Sequence, residues 1–224
     1  MERRIPEEEL MNVPRNAQAY AGADFSEPNN KFVALFAEKF PAFGGETILD
    51  LGCGPADITI RFALHYPQAA IIGADGADAM LDMAKQAIHR QGSLANRVEI
   101  QKWHIGREKN PLRLKAFDAL VSNSLLHHMD DPLDLWRAIR GCAAANAAVL
   151  VMDLIRPSSL TEAKNIVEKY AASEPDVLRT DFLNSLRAAY RPAEIRQQLI
   201  ASDMEQLSIE IVSDRHLVVF GSIG

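Results

Sequence analysis

Short apolar runs and polar, helix-like segments alternate through the middle of this chain. The apolar runs, which predict β-strands, are residues 47–51, 70–74, 98–103, 119–122 and 147–153. Segments with helical periodicity separate most of them, at 57–66, 78–91 and 133–144, whereas the connection 103–117 is polar and irregular. Strands that alternate with helices predict a parallel sheet covered on both faces. Because such sheets bind ligands at the carboxyl ends of their strands, the candidate functional residues are those that follow each strand.

The two ends of the chain depart from this alternation. Residues 1–43 precede the first strand, and Asn29 or Asn30 is predicted to cap a helix that runs through Phe40. After the fifth strand the pattern predicts a helical insertion and then an antiparallel hairpin at one edge of the sheet, at residues 157–201, 207–212 and 216–221. The expected architecture is an α/β sheet with added elements at both ends.

Composition narrows the classes of function. Hydrophobic residues make up 48% and charged residues 24% of the 224 positions, which is ordinary for a globular protein in water. No apolar run approaches the length of a membrane span, and the charged start is unlike a secretory signal. Two cysteines, Cys53 and Cys142, favour a reducing, cytoplasmic location. The formal net charge of −6 argues against a nucleic-acid partner and favours a small-molecule substrate.

The first strand ends in a glycine turn with the pattern Asp50-x-Gly52-x-Gly54. Glycines let the turn bend sharply and let a ligand approach the backbone, and the helix that follows presents free N–H groups. A nicotinamide-binding turn would need a third glycine at position 57, where Asp57 instead carries a charge that repels pyrophosphate. The acidic Asp50 suits a ligand that carries an ammonium group and a sulfonium.

This turn resembles motif I of the class I S-adenosylmethionine-dependent methyltransferases. Asp75 fits the same family because it ends the second strand, 25 residues after Asp50. Residues 123–128 (Asn-Ser-Leu-Leu-His-His) resemble motif IV in the Leu-His-His form of small-molecule methyltransferases. The resemblance implies a Rossmann-like, seven-stranded, mostly parallel sheet with helices on both faces and a C-terminal antiparallel strand pair.

The resemblance also implies S-adenosyl-L-methionine as the cofactor, with S-adenosyl-L-homocysteine as its product. Asp75 is expected to hold both ribose hydroxyls, and Asn123 to lie beside the methionine portion through its carbonyl. Met80 is expected beside the adenine or in the core, and Tyr20 either reaches the cofactor carboxylate or pins the N-terminal helix. The implied cofactor-binding residues are Tyr20, Asp50, Gly52, Gly54, Asp57, Asp75, Gly76, Met80, Trp103, His104 and Asn123.

The end of the third strand departs from the family pattern. Many relatives have Gly-Asp there, with the Asp bound to the adenine amino group, whereas this chain has Trp103-His104. His104 is able to accept that hydrogen bond through an unprotonated ring nitrogen. Trp103 has two interpretations, packing on the adenine or filling the core. The adenine contact is therefore the part of the site that the resemblance does not transfer.

His127 and His128 are the candidate catalytic residues, because an imidazole can accept a proton near neutral pH. The alternative is that one histidine orients the loop and the other is exposed. No cysteine or carboxylate cluster lies at the usual spacing from the pair, so no metal is predicted.

The predicted function is methyl transfer to a small-molecule acceptor by in-line displacement. The alternatives are a protein that binds S-adenosylmethionine without transferring its methyl group, and a nicotinamide-dependent oxidoreductase. A single domain, 1–224, is expected, with a helical cap, a cofactor-binding core, a substrate-lid insertion and a terminal strand pair at residues 1–43, 44–156, 157–201 and 202–224.

Overall fold

Seven strands form one sheet in the computed structural model, which describes residues 1, 3–7, 26–44 and 46–224. The predicted cofactor ligand Tyr20 lies outside the described residues. The strands are β1 (Thr47–Leu51), β2 (Ala70–Asp75), β3 (Val98–Lys102), β4 (Phe117–Asn123), β5 (Ala143–Leu154), β6 (Ser208–Ile211) and β7 (His216–Ile223). Their order across the sheet is β3-β2-β1-β4-β5-β7-β6.

The sheet confirms the predicted fold class. β1 pairs in parallel with both β2 and β4, and the outer pairs β2–β3 and β4–β5 are parallel as well. β7 runs antiparallel to β5 and to β6, so the terminal hairpin closes one edge. Strand order reverses on either side of β1, and such a switch point is where open α/β sheets bind ligands. The crevice beyond the ends of β1 and β4 is therefore the expected site.

Seven helices lie within the described residues and cover both faces of the sheet. They are α1 (Ser26–Lys39), α2 (Asp57–His65), α3 (Asp78–Arg90), α4 (Leu133–Cys142), α5 (Leu160–Ala171), α6 (Asp176–Ala188) and α7 (Pro192–Ala201). Side chains of a strand alternate between faces, so Leu49 packs with Trp136 of α4 and Ile48 packs with Phe62 of α2. None of the helices in the described ranges is both long enough and apolar enough to cross a membrane.

The predicted cap of the first helix is wrong. α1 begins at Ser26, so Asn29 and Asn30 lie inside the helix and not at its N-cap. Asn29 Nδ2 donates to Asp57 Oδ2 of α2 at 2.6 Å, and the Arg61 guanidinium donates to Asn30 Oδ1. The two amides therefore connect α1 to α2, a role that depends on tertiary contact and that local capping patterns do not reveal.

The fifth strand is longer than predicted. β5 begins at Ala143, directly after α4, whereas the apolar pattern places its start at residue 147. Its pairing with β4 shifts register after Phe117, and Asn146 has a left-handed φ of 61°. This irregularity lets the strand start early without an apolar run, which explains why the sequence pattern misses its first residues.

An aromatic cluster joins α1 to α2. The Phe36 ring is fully buried and lies 4.9–5.9 Å, between centroids, from the rings of Phe40, Phe43, Phe62 and Tyr66. Aromatic pairs at these separations stabilise a core beyond the effect of area alone. Phe36 is therefore the main apolar contact that holds α1 against the sheet-covering helices.

We expect Phe36→Ala to lower the free energy of unfolding by about 3–5 kcal/mol, because it removes a buried ring and leaves a cavity. Leu64→Ala on α2 is the matched control, since Leu64 is 60% exposed. Urea denaturation of the two variants and the wild type measures both effects. Equal losses for the two variants would contradict the assigned role of the cluster.

Candidate functional site

The glycine turn after β1 has the conformation that its sequence predicts. Gly52 and Gly54 have φ values of +74° and +51°, which disfavour residues with a Cβ. A Cβ on Gly52 would lie 2.9 Å from Leu125 Cδ2, whereas among the described residues no atom lies within 4 Å of a Cβ on Gly54. A glycine is thus required at position 52 because Leu125 occupies the space of a side chain. The backbone at Gly54 is open to a ligand.

Asp50 lies beneath this turn and is buried. Its Oδ2 accepts a hydrogen bond from Thr59 Oγ1 of α2 at 2.6 Å. Burial raises the pKa of Asp50 to about 7, although the Thr59 hydrogen bond opposes the shift. The side chain lines the cleft beside the turn, and its charge near neutral pH depends on whether a cation or donor approaches it.

Asp75 brings the tip of β2 to the same turn. Its Oδ2 accepts from the backbone N–H of Gly54 at 2.9 Å, and its Oδ1 accepts from the N–H of Ala77 at 2.8 Å. Burial raises its pKa, while these N–H donors and the nearby His104 oppose the shift. A carboxylate has about four acceptor positions, so Asp75 can also accept from the hydroxyls of a ligand.

A cleft of about 530 Å³ opens beside the turn and is lined by Asp50, Asn123 and residues of α3 such as Met83. Asn123 ends β4, and Ser124 after it has a left-handed φ of 58°. The Asn123 Oδ1 atom is buried and has no hydrogen-bond partner among the described residues. A buried polar atom without a partner is costly, so this amide marks a place where a ligand donor fits.

Asp57 begins α2 at the edge of the cleft, but its carboxylate is paired. Arg61 Nε donates to Asp57 Oδ2 at 2.8 Å, and Asn29 donates to the same oxygen. The predicted repulsion of pyrophosphate by Asp57 is therefore weakened by Arg61, a partner one helical turn away.

The residues expected near the adenine are divided between core and surface. Met80 is buried against Ala77, and Met83 packs beside it, which fits the core interpretation of Met80. Gly76 is half-buried between Asp75 and Ala77.

Trp103 is buried in the main core cluster, and its Nε1 has no hydrogen-bond partner within the described part of the chain. His104 N donates to Glu108 Oε2 at 3.2 Å, and the ring lies close enough to influence Asp75.

The two histidines after β4 are held by carboxylates from distant parts of the chain. His127 Nδ1 lies 2.5 Å from Asp153 Oδ1, and the His127 N–H donates to Asp153 Oδ2 at 3.1 Å. Glu7 Oε1 lies 3.3 Å from His127 Nε2 and 3.3 Å from His128 Nδ1. Burial alone would lower the pKa of His127, but the charges of Asp153 and Glu7 outweigh it and raise that pKa.

Sequence reasoning missed both carboxylates as histidine partners. The end of β5 is the one signal that points to Asp153, because polar residues at strand ends meet at one sheet edge. Glu7 has no such signal, since it precedes α1 and reaches the histidines only through the tertiary fold. Glu7 joins His127 and His128 from a distant part of the chain, so a search for carboxylates at the usual metal-ligand spacing does not find it.

Comparison with known proteins gives a consistent result. Residues 49–149 match the family model described as a methyltransferase domain. A malonyl-[acyl-carrier protein] O-methyltransferase of Legionella pneumophila is 37% identical over 83 residues, which are 36% of this chain and 26% of that protein. A trans-aconitate 2-methyltransferase of Methylobacterium radiotolerans is 28% identical over 153 residues, 67% of this chain and 54% of that protein.

A solved structure has the same fold over nearly the whole chain. The plantazolicin methyltransferase BpumL, crystallised with a pentazolic desmethylPZN analog and SAH, superposes with a TM-score of 0.70. It is 12% identical and the match covers 93% of this chain and 90% of that one. The fold is that of the class I S-adenosylmethionine-dependent methyltransferases, and residues 49–149, just under half of the chain, match a methyltransferase domain. The chain spans about half or less of the length of the curated relatives described above.

The residues of the cleft fit the methyl donor of this family, S-adenosylmethionine. Gly54 and Asn123 line one crevice at the switch point, and Asp75 lies next to it through its hydrogen bond to the Gly54 N–H. Acidic and amide oxygens match a ligand with an ammonium group, ribose hydroxyls and a sulfonium charge.

We expect the buried Asp50 to make stability fall as pH rises from about 4 to about 7. An unfolded Asp loses its proton near pH 3.9. Folded Asp50 keeps its proton until about pH 7. Between these values the native state binds more protons, so the free energy of unfolding decreases by up to about 1.4 kcal/mol per pH unit.

Urea unfolding of the wild type and Asp50→Asn across this pH range measures the effect. The stability of Asp50→Asn relative to the wild type should rise with pH up to about 7 and then stay level. A constant difference at all pH values would show that Asp50 ionises in the folded state as it does in the unfolded chain.

Proposed function

We propose that this chain transfers the methyl group of S-adenosylmethionine to a small-molecule acceptor. The observation that carries the proposal is the contact of the Asp75 carboxylate with the Gly54 N–H at 2.9 Å, beside the cleft that Asn123 lines. This hydrogen bond joins Asp75, at the end of β2, to the glycine turn after β1 at the switch point of the sheet. The family match over residues 49–149 supports the same activity.

The proposed cofactor contacts follow from the chemistry of each side chain. Asp75 accepts from the ribose hydroxyls, and Asp50 and Asn123 offer oxygens to the methionine portion. Gly52 and Gly54 let the backbone approach the ligand, and Asp57, Gly76, Met80, Trp103 and His104 complete the proposed set. Tyr20 stays a prediction from the sequence. His104 is the proposed acceptor for the adenine amino group, while the burial of Trp103 favours a core role for its ring.

The chemistry that the cofactor supplies is an electrophilic methyl group on a sulfonium, open to in-line displacement by an acceptor lone pair. The protein contributes mainly position, which supplies about 7–11 kcal/mol where the reacting atoms are well aligned. The loop after β4 fixes Asn123 because the Ser124 N–H donates to Met152 O at 2.9 Å. This hydrogen bond attaches the start of the loop to β5.

The catalytic assignment of His127 and His128 also stays a prediction. His127 is buried with carboxylates near both ring nitrogens, whereas the His128 side chain is 20% exposed. His128 is therefore the better candidate for a proton acceptor that touches the substrate.

A small acceptor is supported by the charge and by the elements that follow β5. The net charge of −6 disfavours a nucleic-acid substrate. Helices α5, α6 and α7 make up the proposed substrate lid at residues 157–201, in a single domain whose other parts are the cap 1–43, the core 44–156 and the strand pair 202–224. Both relatives described above are named for acceptors that carry carboxyl groups, so organic acids are the first acceptors to test.

We also propose a cytoplasmic location. Cys53 and Cys142 are both free and buried, as is usual in a reducing compartment.

We expect Asp75→Ala to weaken binding of S-adenosylhomocysteine by more than about tenfold, because two ribose hydrogen bonds to a charged acceptor are lost. Asp82→Ala is the matched control, since the Asp82 side chain is 73% exposed on α3. Isothermal titration measures both affinities, and circular dichroism checks the fold. Unchanged affinity in folded Asp75→Ala would remove Asp75 from the site.

The activity itself is tested with methyl-labelled S-adenosylmethionine and a panel of acceptors. The panel contains small organic acids, acyl thioesters, phenols, amines and total tRNA. We expect label in a small-molecule product, most readily an organic acid. Label in tRNA alone would contradict the small-molecule proposal, and binding of S-adenosylhomocysteine without any transfer would favour a binding protein.

A further inference from the structure

Three metal-ligating side chains meet outside the proposed cofactor cleft. Glu7, His127 and His128 each present a ligand atom, and these atoms all lie within 4.8 Å of one another. Glu7 comes from the segment before α1, and the two histidines form a short 3₁₀ turn after β4. A carboxylate and two imidazoles are typical ligands of divalent transition-metal ions.

The distances in this cluster match the spacing of ligands around one ion. Glu7 Oε1 lies 3.3 Å from His127 Nε2 and 3.3 Å from His128 Nδ1. Two ligands about 2.0–2.1 Å from a tetrahedral ion lie about 3.3 Å apart. Both separations exceed the usual range of a charge-assisted hydrogen bond, about 2.7–2.9 Å. The geometry therefore leaves room for an ion between the Glu7 oxygen and the ring nitrogens.

Asp153 orients His127 as a second carboxylate does in many metal sites. Asp153 Oδ1 is 2.5 Å from His127 Nδ1, and Asp153 itself is fixed by the N–H groups of His127 and Leu154. Hydrogen bonding at Nδ1 directs the Nε2 lone pair toward Glu7. Two acceptor atoms that face each other across 3.3 Å need a cation between them, either a proton or a metal ion.

The charges around the cluster also favour a cation. Glu7 and Asp153 are both shielded from solvent, with side chains 15% and 3% exposed. Arg4 is the nearby cation, but its guanidinium donates to the carbonyls of His127 at 2.7 Å and Ala188 at 2.5 Å. With neutral histidines, two carboxylates and one arginine leave a net negative charge, which attracts a cation.

We propose that Glu7, His127 and His128 bind a divalent first-row transition-metal ion, with Asp153 as the positioning residue of His127. Two imidazole ligands favour Zn²⁺ and its neighbours over Mg²⁺ and Ca²⁺, which prefer oxygen. Three protein ligands leave a fourth position for water or for an oxygen of an acceptor. The proposal depends only on the geometry of these side chains and not on methyl transfer, and an ion bound there would exclude the coordinating histidine nitrogens from proton transfer.

Metal content of the full chain tests the proposal without S-adenosylmethionine. The protein is stripped with a chelator, exposed to Zn²⁺ and gel-filtered, and we expect about one zinc per chain by elemental analysis. Co²⁺ in place of Zn²⁺ is expected to give the visible absorption of a cobalt site with nitrogen and oxygen ligands.

Three variants locate the ion. Glu7→Gln and His128→Asn each remove a ligand, and Asp153→Asn removes the orienting carboxylate, which costs about 10–100-fold in affinity in comparable sites. The ligand variants should lose at least as much affinity as Asp153→Asn. His65→Asn and Glu46→Gln, both at exposed positions, should bind zinc like the wild type. Circular dichroism identifies any variant that fails to fold. If one of the two ligand variants does not fold, the zinc affinity of the other one tests the proposal.

The proposal is overturned by either of two results. One is a wild type that retains no zinc after gel filtration. The other is a folded Glu7→Gln or His128→Asn that binds zinc as tightly as the wild type. In both cases the cluster is a proton-bridged ion pair, and the three carboxylate–imidazole contacts serve to hold the loop after β4.

Discussion

The tight turn at Gly52 is the constraint on which the rest of the site depends. The chain leaves β1 with a left-handed φ of +74°, and Leu125 packs where a side chain at this position would project. The N–H groups of Gly52 and Cys53 then donate to Ala74 O of β2 at 2.8 and 3.1 Å. The ends of three neighbouring strands can meet at one crevice only because this turn carries no side chain.

A second anchor ties the loop after β4 to the far side of the sheet. Asp153 at the end of β5 holds both the backbone and the ring of His127. Glu7 joins the same histidine to α6, because Ser185 Oγ donates to Glu7 Oε1 at 3.0 Å. Glu7, the histidine turn and α6 are thus connected by polar contacts. A displacement of α6 would therefore move Glu7 and change its contacts with the two histidines.

Most of the fold was predictable because its signals are local. The alternation of apolar and helical segments gave five parallel strands, and the short link between 207–212 and 216–221 indicated the hairpin. Errors arose where tertiary contacts overrode local pattern. Asn29 and Asn30 bind α2 side chains and do not cap α1, and β5 starts at Ala143 through an irregular register.

The candidate site divides in the same way. Asp50, Gly52, Gly54, Asp75 and Asn123 could be found from sequence, because each directly follows or ends a strand at the sheet edge. Arg61 neutralises Asp57 from one helical turn away, and Glu7 meets the histidines only in the folded chain. Trp103 directly follows β3, and its side chain is large and apolar. The pattern of apolar positions could not distinguish a core residue from an adenine contact at this place.

Direct competition between cofactors tests the central claim, that the crevice at the Gly52–Gly54 turn is a binding site for S-adenosylmethionine. A labelled S-adenosylhomocysteine analogue is bound to the wild-type protein and displaced by S-adenosylmethionine or by NADH, with fluorescence anisotropy as the readout. We predict displacement by S-adenosylmethionine and none by NADH at equal concentration. Tighter binding of NADH, or no binding of the analogue, would contradict the account.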